Sequence, residues 1–230
     1  YPLAQQWRAK LWILILSIIT ILTLFSSRIK YNKKLLPISW ILIVPLGIFL
    51  LSGGLGLAHI PSREWGGLLL TLILTSCSAS IALPLGIMLA LGRQSSLKVI
   101  KTTCRIYIDF MRAIPLIAVL FFGQLLIPLF LPIDYEVTRF IRAVLAFGLF
   151  SSAYVAEDIR GGLQSIQSTQ YEAAAVLGLS PQQTFQLIIL PQALKTALPA
   201  LTNQAIGLLQ NTSLMAILGL VELLGISRSI

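Results

Sequence analysis

The side chains of this sequence able to do chemistry fall into an ionic set, a neutral polar set and a thin remainder. The ionic set holds Asp109 and Arg112 in "YIDFMRAIPLIAVLFFG", and Glu157, Asp158 and Arg160 in "SAYVAEDIRGG". A spacing of three puts Asp109 and Arg112 on one helix face, where they either pair or reach for the headgroup layer as an interfacial couple. Acidic groups at the end of an apolar segment cost less than at its centre, and they are functional candidates by default. The neutral set lies in "ALPALTNQAIGLLQNTSLMAILGL", where Asn203, Gly207 and Asn211 recur every four residues with Gln210 beside them. Amides offer donors and acceptors without net charge. A helix with such a face turns it to other protein or to water, not to lipid. The remainder supports little. His59 is the single histidine and sits in a loop, with no serine placed to use it as a base. With only Cys77 and Cys104 besides, no metal site of the usual kind assembles, and one cysteine in a span and one in a loop are not expected to pair.

These groups must be positioned by a chain of 230 residues that is 57% hydrophobic and 11% charged, whereas a soluble domain carries roughly 25% charged residues. Apolar runs near the ~20 residues that cross a ~30 Å hydrocarbon layer recur along it. In lipid such runs must be helices, because no backbone group can stay unpaired there. The fold class is therefore all-α, a polytopic transmembrane helical protein with about six spans. The spans read as 11–27, 36–56, 67–91, 105–130, 140–158 and a last helix beyond residue 181. The first two look like plain lipid-facing helices. Thr71, Thr75, Ser76, Ser78 and Ser80 suit helix–helix contact in the third, which Pro84 and Gly86 are expected to bend.

The net charge of +9, from 17 basic and 8 acidic residues, is distributed for a membrane and not for nucleic acid. "RIKYNKK" (28–34) and "RQSSLKVIKTTCR" (93–105) each hold four basic residues between apolar spans, the mark of cytoplasmic loops. The loop "HIPSREW" balances Arg63 against Glu64, and the next sets Asp134 and Glu136 against Arg139 and Arg142, so both are placed outside. Arg8 and Lys10 count against this orientation. Trp65 suits a headgroup belt.

A capped elbow follows the fifth span: "YEAAAVLGLSPQQTFQLIILPQ" (171–192). Residues 172–177 read as helix, and Gly178 supplies a left-handed stop. Ser180 is an N-cap, Pro181 suits the first helical position and Gln183 completes a capping box. A second helix then climbs back towards the membrane, with Pro191 and Pro199 expected to interrupt it.

Glu172, Ala173, Ala174, Gly178, Ile188, Leu190 and Pro191 fit the pattern E-A-A-x3-G-x9-I-x-L-P. It resembles the EAA signature of bacterial ABC importer permeases. "SAYVAEDIRGGLQSI", "LPQALKTALPALTNQ" and "NTSL" resemble the polar amino-acid (histidine/glutamine-type) permease family. "WGGLLLTLILT", "LPLGIMLALGRQS" and "PLFLP" look most similar to the general and neutral L-amino-acid transporter permeases. The likeness covers roughly 65–230, and the chain reads as starting inside a longer protein.

This resemblance implies a type I ABC importer permease fold in a bacterial inner membrane. Residues 1–64 would be accessory transmembrane helices, and 65–230 the permease core with a cytoplasmic coupling helix at about 169–180. Glu172, Ala173, Ala174, Gly178, Leu179 and Pro181 would contact an ATPase. Glu157, Asn203, Gly207, Gln210, Asn211, Thr212 and Ser213 would line a substrate path, where Glu157 either meets an ammonium group or pairs with Arg160. Relatives commonly carry Lys-Asp before "TSL", and this chain has Gln210-Asn211, which implies neutral or broadly ranging amino acids; equally, the two amides hydrogen-bond neighbouring helices. Relatives also carry Arg-Gly-Thr-Pro where this chain has Arg112, Ala113, Ile114 and Pro115. The sequence has no Walker "GxxxxGK[ST]", so it is read as a non-catalytic subunit that binds no cofactor, with ATP and Mg on partner ATPase subunits. A second homologous permease, giving a heterodimer, and an extracytoplasmic substrate-binding protein complete the expected partners, with membrane lipid and no nucleic acid. The alternative is an ion-coupled secondary transporter of small solutes, whose broken helices also carry polar residues. That class predicts an inverted repeat, yet the two halves differ in charge pattern and proline placement. An intramembrane hydrolase is a distant third.

Overall fold

The computed structural model describes residues 2–24, 35–53, 56–130, 137–220 and 227. The basic run 28–34, Asp134, Glu136 and most of "ELLGISRSI" lie outside the described residues, as does the side chain of Arg63. The apolar runs form α1 (Gln6–Leu24), α2 (Leu35–Ser52), α3 (Gly67–Arg93), α4 (Lys98–Ala113), α5 (Leu116–Leu129) and α6 (Arg139–Gln164). The elbow and its sequel form α7 (Ser168–Val176), α8 (Pro181–Thr184) and α9 (Leu190–Asn211). Among the described residues, Gln6–Thr23, Gly67–Arg93 and Arg139–Gln164 are long and apolar enough to cross a membrane, and the bent pair α4–α5 would add a fourth. Ile38–Ser52 is a shorter apolar helix, and α9 carries the neutral polar set.

Two expectations about breaks are corrected. The span expected at 105–130 is two helices meeting at 104°. Ile114, ahead of Pro115, is extended (φ −94°, ψ 136°), because the proline ring disfavours helical backbone in the residue before it. Pro191, by contrast, does not interrupt its helix. A π turn at Phe185–Ile189 precedes it, with the Leu190 N–H donating to the Phe185 carbonyl. Widening that turn makes room for a ring that would otherwise strike the carbonyl four residues back. Pro199 likewise lies inside α9.

The chain divides into two compact units. The first comprises Tyr1–Ser80, Leu120–Val144 and Asn211–Ile230. Here α1 packs on α2 through Trp12, which is fully buried and donates its indole N–H to the Ile43 carbonyl at 3.1 Å. Gly47 lies against that indole, where any Cβ would collide. Arg8 is also buried, with Nη1 donating to the Ala58 carbonyl at 2.9 Å. Most of α1 stays exposed, as expected of a lipid-facing helix, with Trp12 and Arg8 as internal ties. Trp65 is buried too, edge-on to Phe140 with centroids 5.1 Å apart. It belongs to the packing and not to a headgroup belt. Of the α3 hydroxyls, Thr75, Ser76 and Ser80 return to carbonyls of their own helix at 2.8 Å. Ser78 reaches across to the Val144 carbonyl on α6 at 3.4 Å.

The second unit comprises Ile81–Val119 and Leu145–Gln210. Its apolar core draws Leu89 from α3, Ile108 from α4, Val155 and Ile159 from α6, Ile189 from the π turn and Ala193 from α9. Glycine sets the helix spacing. A Cβ on Gly86 would sit 2.5 Å from Val155 Cγ1, and one on Gly162 would strike the Ala193 carbonyl. Small residues at such crossings are how helices approach closely in lipid, where apolar burial gives no net drive. Gly86 therefore serves packing, within an α3 whose 27 residues run on unbroken through Pro84.

Candidate functional site

The second unit presents the elbow, an ionic knot and most of a polar helix face. The elbow forms as its residues dictate. Gly178 takes φ +74°, a left-handed conformation that costs glycine nothing. Its N–H donates to the Ala175 carbonyl at 3.0 Å, and the Leu179 N–H donates to Ala174 at 3.1 Å, the paired bonds of a Schellman stop. Two residues later Ser180 and Gln183 exchange capping bonds, with Ser180 N–H to Gln183 Oε1 at 2.9 Å and Gln183 N–H to Ser180 Oγ at 3.3 Å. Pro181 occupies the first helical position. Gln192 Nε2 donates to Gln170 Oε1 at 3.1 Å, tying α9 back to α7. The nine residues of α7 make a rod about 13 Å long, stopped at Gly178 and followed by a capped restart at Ser180. Ala174 faces inward at 0% exposure, so the close approach it allows is to its own chain. The outer surface belongs to Glu172, Ala173, Val176 and Leu177, the last two 88% and 75% exposed.

The knot centres on Glu157. Arg160 grips one carboxylate oxygen through Nε at 2.9 Å and Nη2 at 2.7 Å. Arg93 of α3 donates to the other oxygen, and Arg112 of α4 approaches to 3.6 Å. One carboxylate thus joins three helices. Asp109 takes Arg105 at 3.5 Å and Arg93 at 3.9 Å. The pairing of Asp109 with Arg112 expected from spacing is replaced, and the reason is enclosure. The Glu157 side chain is 13% exposed and that of Asp109 52%, and attraction strengthens as water is excluded. Arg112 also lies over the Tyr154 ring, 5.6 Å from its centroid. Tyr107 donates to the Leu149 carbonyl at 3.0 Å. Arg93, Arg105 and Tyr107 were not singled out from sequence, since no spacing rule links Arg93 to a residue 64 positions away.

On α9, Asn203 and Gln210 are exposed, and Gly207 and Asn211 half-buried. Among the described residues the side chains of Asn203, Gln210 and Asn211 have no hydrogen-bond partner, and the space where a Gly207 Cβ would sit is open. In the first unit, Thr212 is buried and Ser213 half-buried in the turn of helix after Asn211. Glu157 makes no hydrogen bond to this face among the described residues.

Residues 82–230 match the family described as "Binding-protein-dependent transport system inner membrane component". The chain is 43% identical over 225 residues to the "Inner membrane amino-acid ABC transporter permease protein YhdY" of Escherichia coli (strain K12), covering 97% of this chain and 61% of that protein. It is 44% identical over 175 residues to the "Glutamate/glutamine/aspartate/asparagine transport system permease protein BztC" of Rhodobacter capsulatus, covering 76% of this chain and 40% of that one. It thus spans less than two thirds of the length of either relative. A solved structure, "Crystal structure of an amino acid ABC transporter with histidines", superposes with a TM-score of 0.63 at 36% identity, covering 68% of this chain and 72% of that chain.

Proposed function

This chain belongs to the family of binding-protein-dependent transport system inner membrane components, and from that membership we propose that it is the transmembrane permease subunit of an ATP-driven amino-acid importer. It forms the translocation path with a second permease, a heterodimer, and receives substrate from an extracytoplasmic binding protein. Nucleotide hydrolysis takes place on separate ATPase subunits, which hold the ATP and Mg. The observation that carries this reading is the elbow. A helix firmly stopped at Gly178 and restarted by a capping box transmits a displacement that a floppy loop would absorb, and its exposed Val176 and Leu177 offer an apolar contact to a partner. Within the coupling set, Glu172 and Ala173 face outward, Gly178, Leu179 and Pro181 shape the turn, and Ala174 holds the rod to the permease.

For substrate, the proposed path runs by Glu157, Asn203, Gly207, Gln210, Asn211, Thr212 and Ser213. Gln210 and Asn211 supply uncharged amides where a Lys-Asp pair would demand a charged ligand, so the subunit accepts neutral amino acids or a broad range of them. A relative whose printed name spans two acids and two amides suits the broad version. The test is co-purification with ATPase measurement. Recovery with an ATPase chain and a second permease, with hydrolysis stimulated by a loaded binding protein, supports the reading. A chain that moves amino acids with an ion gradient and no nucleotide overturns it.

A further inference from the structure

A cavity of about 380 Å³ opens at one end of the second unit, lined by Arg93, Lys101, Arg105 and Arg160 with Gln94 and Gln164. That size falls in the lower part of the range for small-molecule sites, about 300–1,000 Å³. No carboxylate lines it. Glu157 and Asp109 hold three of the four cations from the side, while Lys101 has no ion pair among the described residues. Four cations against two carboxylates leave a charge of +2 facing an open space. Guanidinium forks and an ammonium converging in this way suit the oxygens of a phosphate group.

A separate feature says what carries that phosphate. On α4, Val99, Ile106 and Phe110 are 78%, 63% and 59% exposed. Their spacing of seven and four puts them in one stripe, and Lys98, Lys101 and Arg105 lie roughly 100–160° further round the same helix. A basic face set round from an apolar one, on a helix turned 104° from its successor, is how a helix lies at a membrane interface. Basic pockets between membrane helices take anionic headgroups. We propose that this cavity binds a phosphate group, carried by an anionic phospholipid whose headgroup enters between α3, α4 and α6, at the membrane surface into which the stripe of Val99, Ile106 and Phe110 sets α4.

The test uses the full chain purified in detergent. It is titrated separately with phosphatidylglycerol and phosphatidylcholine, read by native mass spectrometry, and with inorganic phosphate, read by calorimetry. Phosphatidylglycerol is expected to bind at least about tenfold tighter than phosphatidylcholine. The double variant Lys101→Gln/Arg105→Gln weakens phosphatidylglycerol roughly thirtyfold, the factor for two cations at about 1 kcal/mol each. Lys101→Arg/Arg105→Lys retains binding, and Lys10→Gln/Lys195→Gln, which removes equal charge elsewhere, changes it by no more than about twofold. Lys101→Gln alone disturbs no ion pair and gives about a fivefold loss. Phosphate binding that is lost in the same variants, with no gain from the lipid, keeps the site and assigns it to the free anion. Equal binding by the wild type and Lys101→Gln/Arg105→Gln, or none by either, overturns the proposal. Because binding is read without transport, its failure leaves the importer reading untouched.

Discussion

The knot around Glu157 and the polar face of α9 solve the same problem in opposite ways. Both place polar groups in helices meant for lipid. In the knot every charge meets a counter-charge of the same chain, three arginines reaching one carboxylate. On the polar face of α9 the side chains of Asn203, Gln210 and Asn211 are uncharged and keep their hydrogen bonds unmade among the described residues. A lone charge in an apolar setting costs far more than a lone amide, so the carboxylates are held by arginines of their own chain while the amides can stay open. The difference separates a carboxylate enclosed by its own chain from amides left open along a helix face.

The contrast breaks most readily at its charged end. Glu157→Gln removes the carboxylate shared by three guanidiniums and leaves only Arg93 with another, Asp109 at 3.9 Å, among the described residues. We expect a loss of about 2 kcal/mol, below the 3–5 kcal/mol of a fully buried pair because the site keeps some water. Thermal melting in detergent should fall by about 4–8 °C, and an unchanged melting temperature would demote the knot to decoration. Next comes Gly178→Ala. No atom lies within 4 Å of the added methyl, so the cost is backbone strain alone, about 1 kcal/mol. It should appear as faster proteolysis at the elbow and weaker stimulation of the partner ATPase. Ser180→Ala removes one capping bond, at about 1 kcal/mol or less, and hydrogen exchange at Gln182 and Gln183 would report it. The smallest effects on stability belong to Gln210→Ala and Asn211→Ala, within about 0.5 kcal/mol. Their effect falls on uptake, as a changed affinity or selectivity among amino acids. If they melt early but transport normally, the two amides are structural and the comparison is wrong.

Much of the fold was legible because its signals are local. The glycine stop, the capping box and the proline at the first helical position each depend on a few neighbouring residues, and all form as the sequence dictates. The bend at Pro115 was written in the same local terms but was masked by the apolar run around it. What could not be read was pairing across the fold. Arg112 has Asp109 within a turn and still turns to Glu157, because enclosure outweighs proximity. Arg8 reads in sequence only as a charge against the orientation, and Trp65 as an interfacial anchor, whereas the fold buries them against Ala58 and Phe140. In the candidate site the elbow residues were found by pattern. Arg93, Arg105 and Lys101 were visible only as net positive charge.

The central claim is that the elbow carries motion between this subunit and a nucleotide-driven partner. Leu177→Cys, in a chain whose Cys77 and Cys104 are replaced by alanine, places a single thiol on the exposed end of the rod. The measurement is crosslinking to the co-purified ATPase chain, with uptake followed before and after reduction. The account predicts an adduct with the ATPase and transport that stops on crosslinking and returns on reduction. No adduct, with uptake indifferent to removal of 172–177, would contradict it.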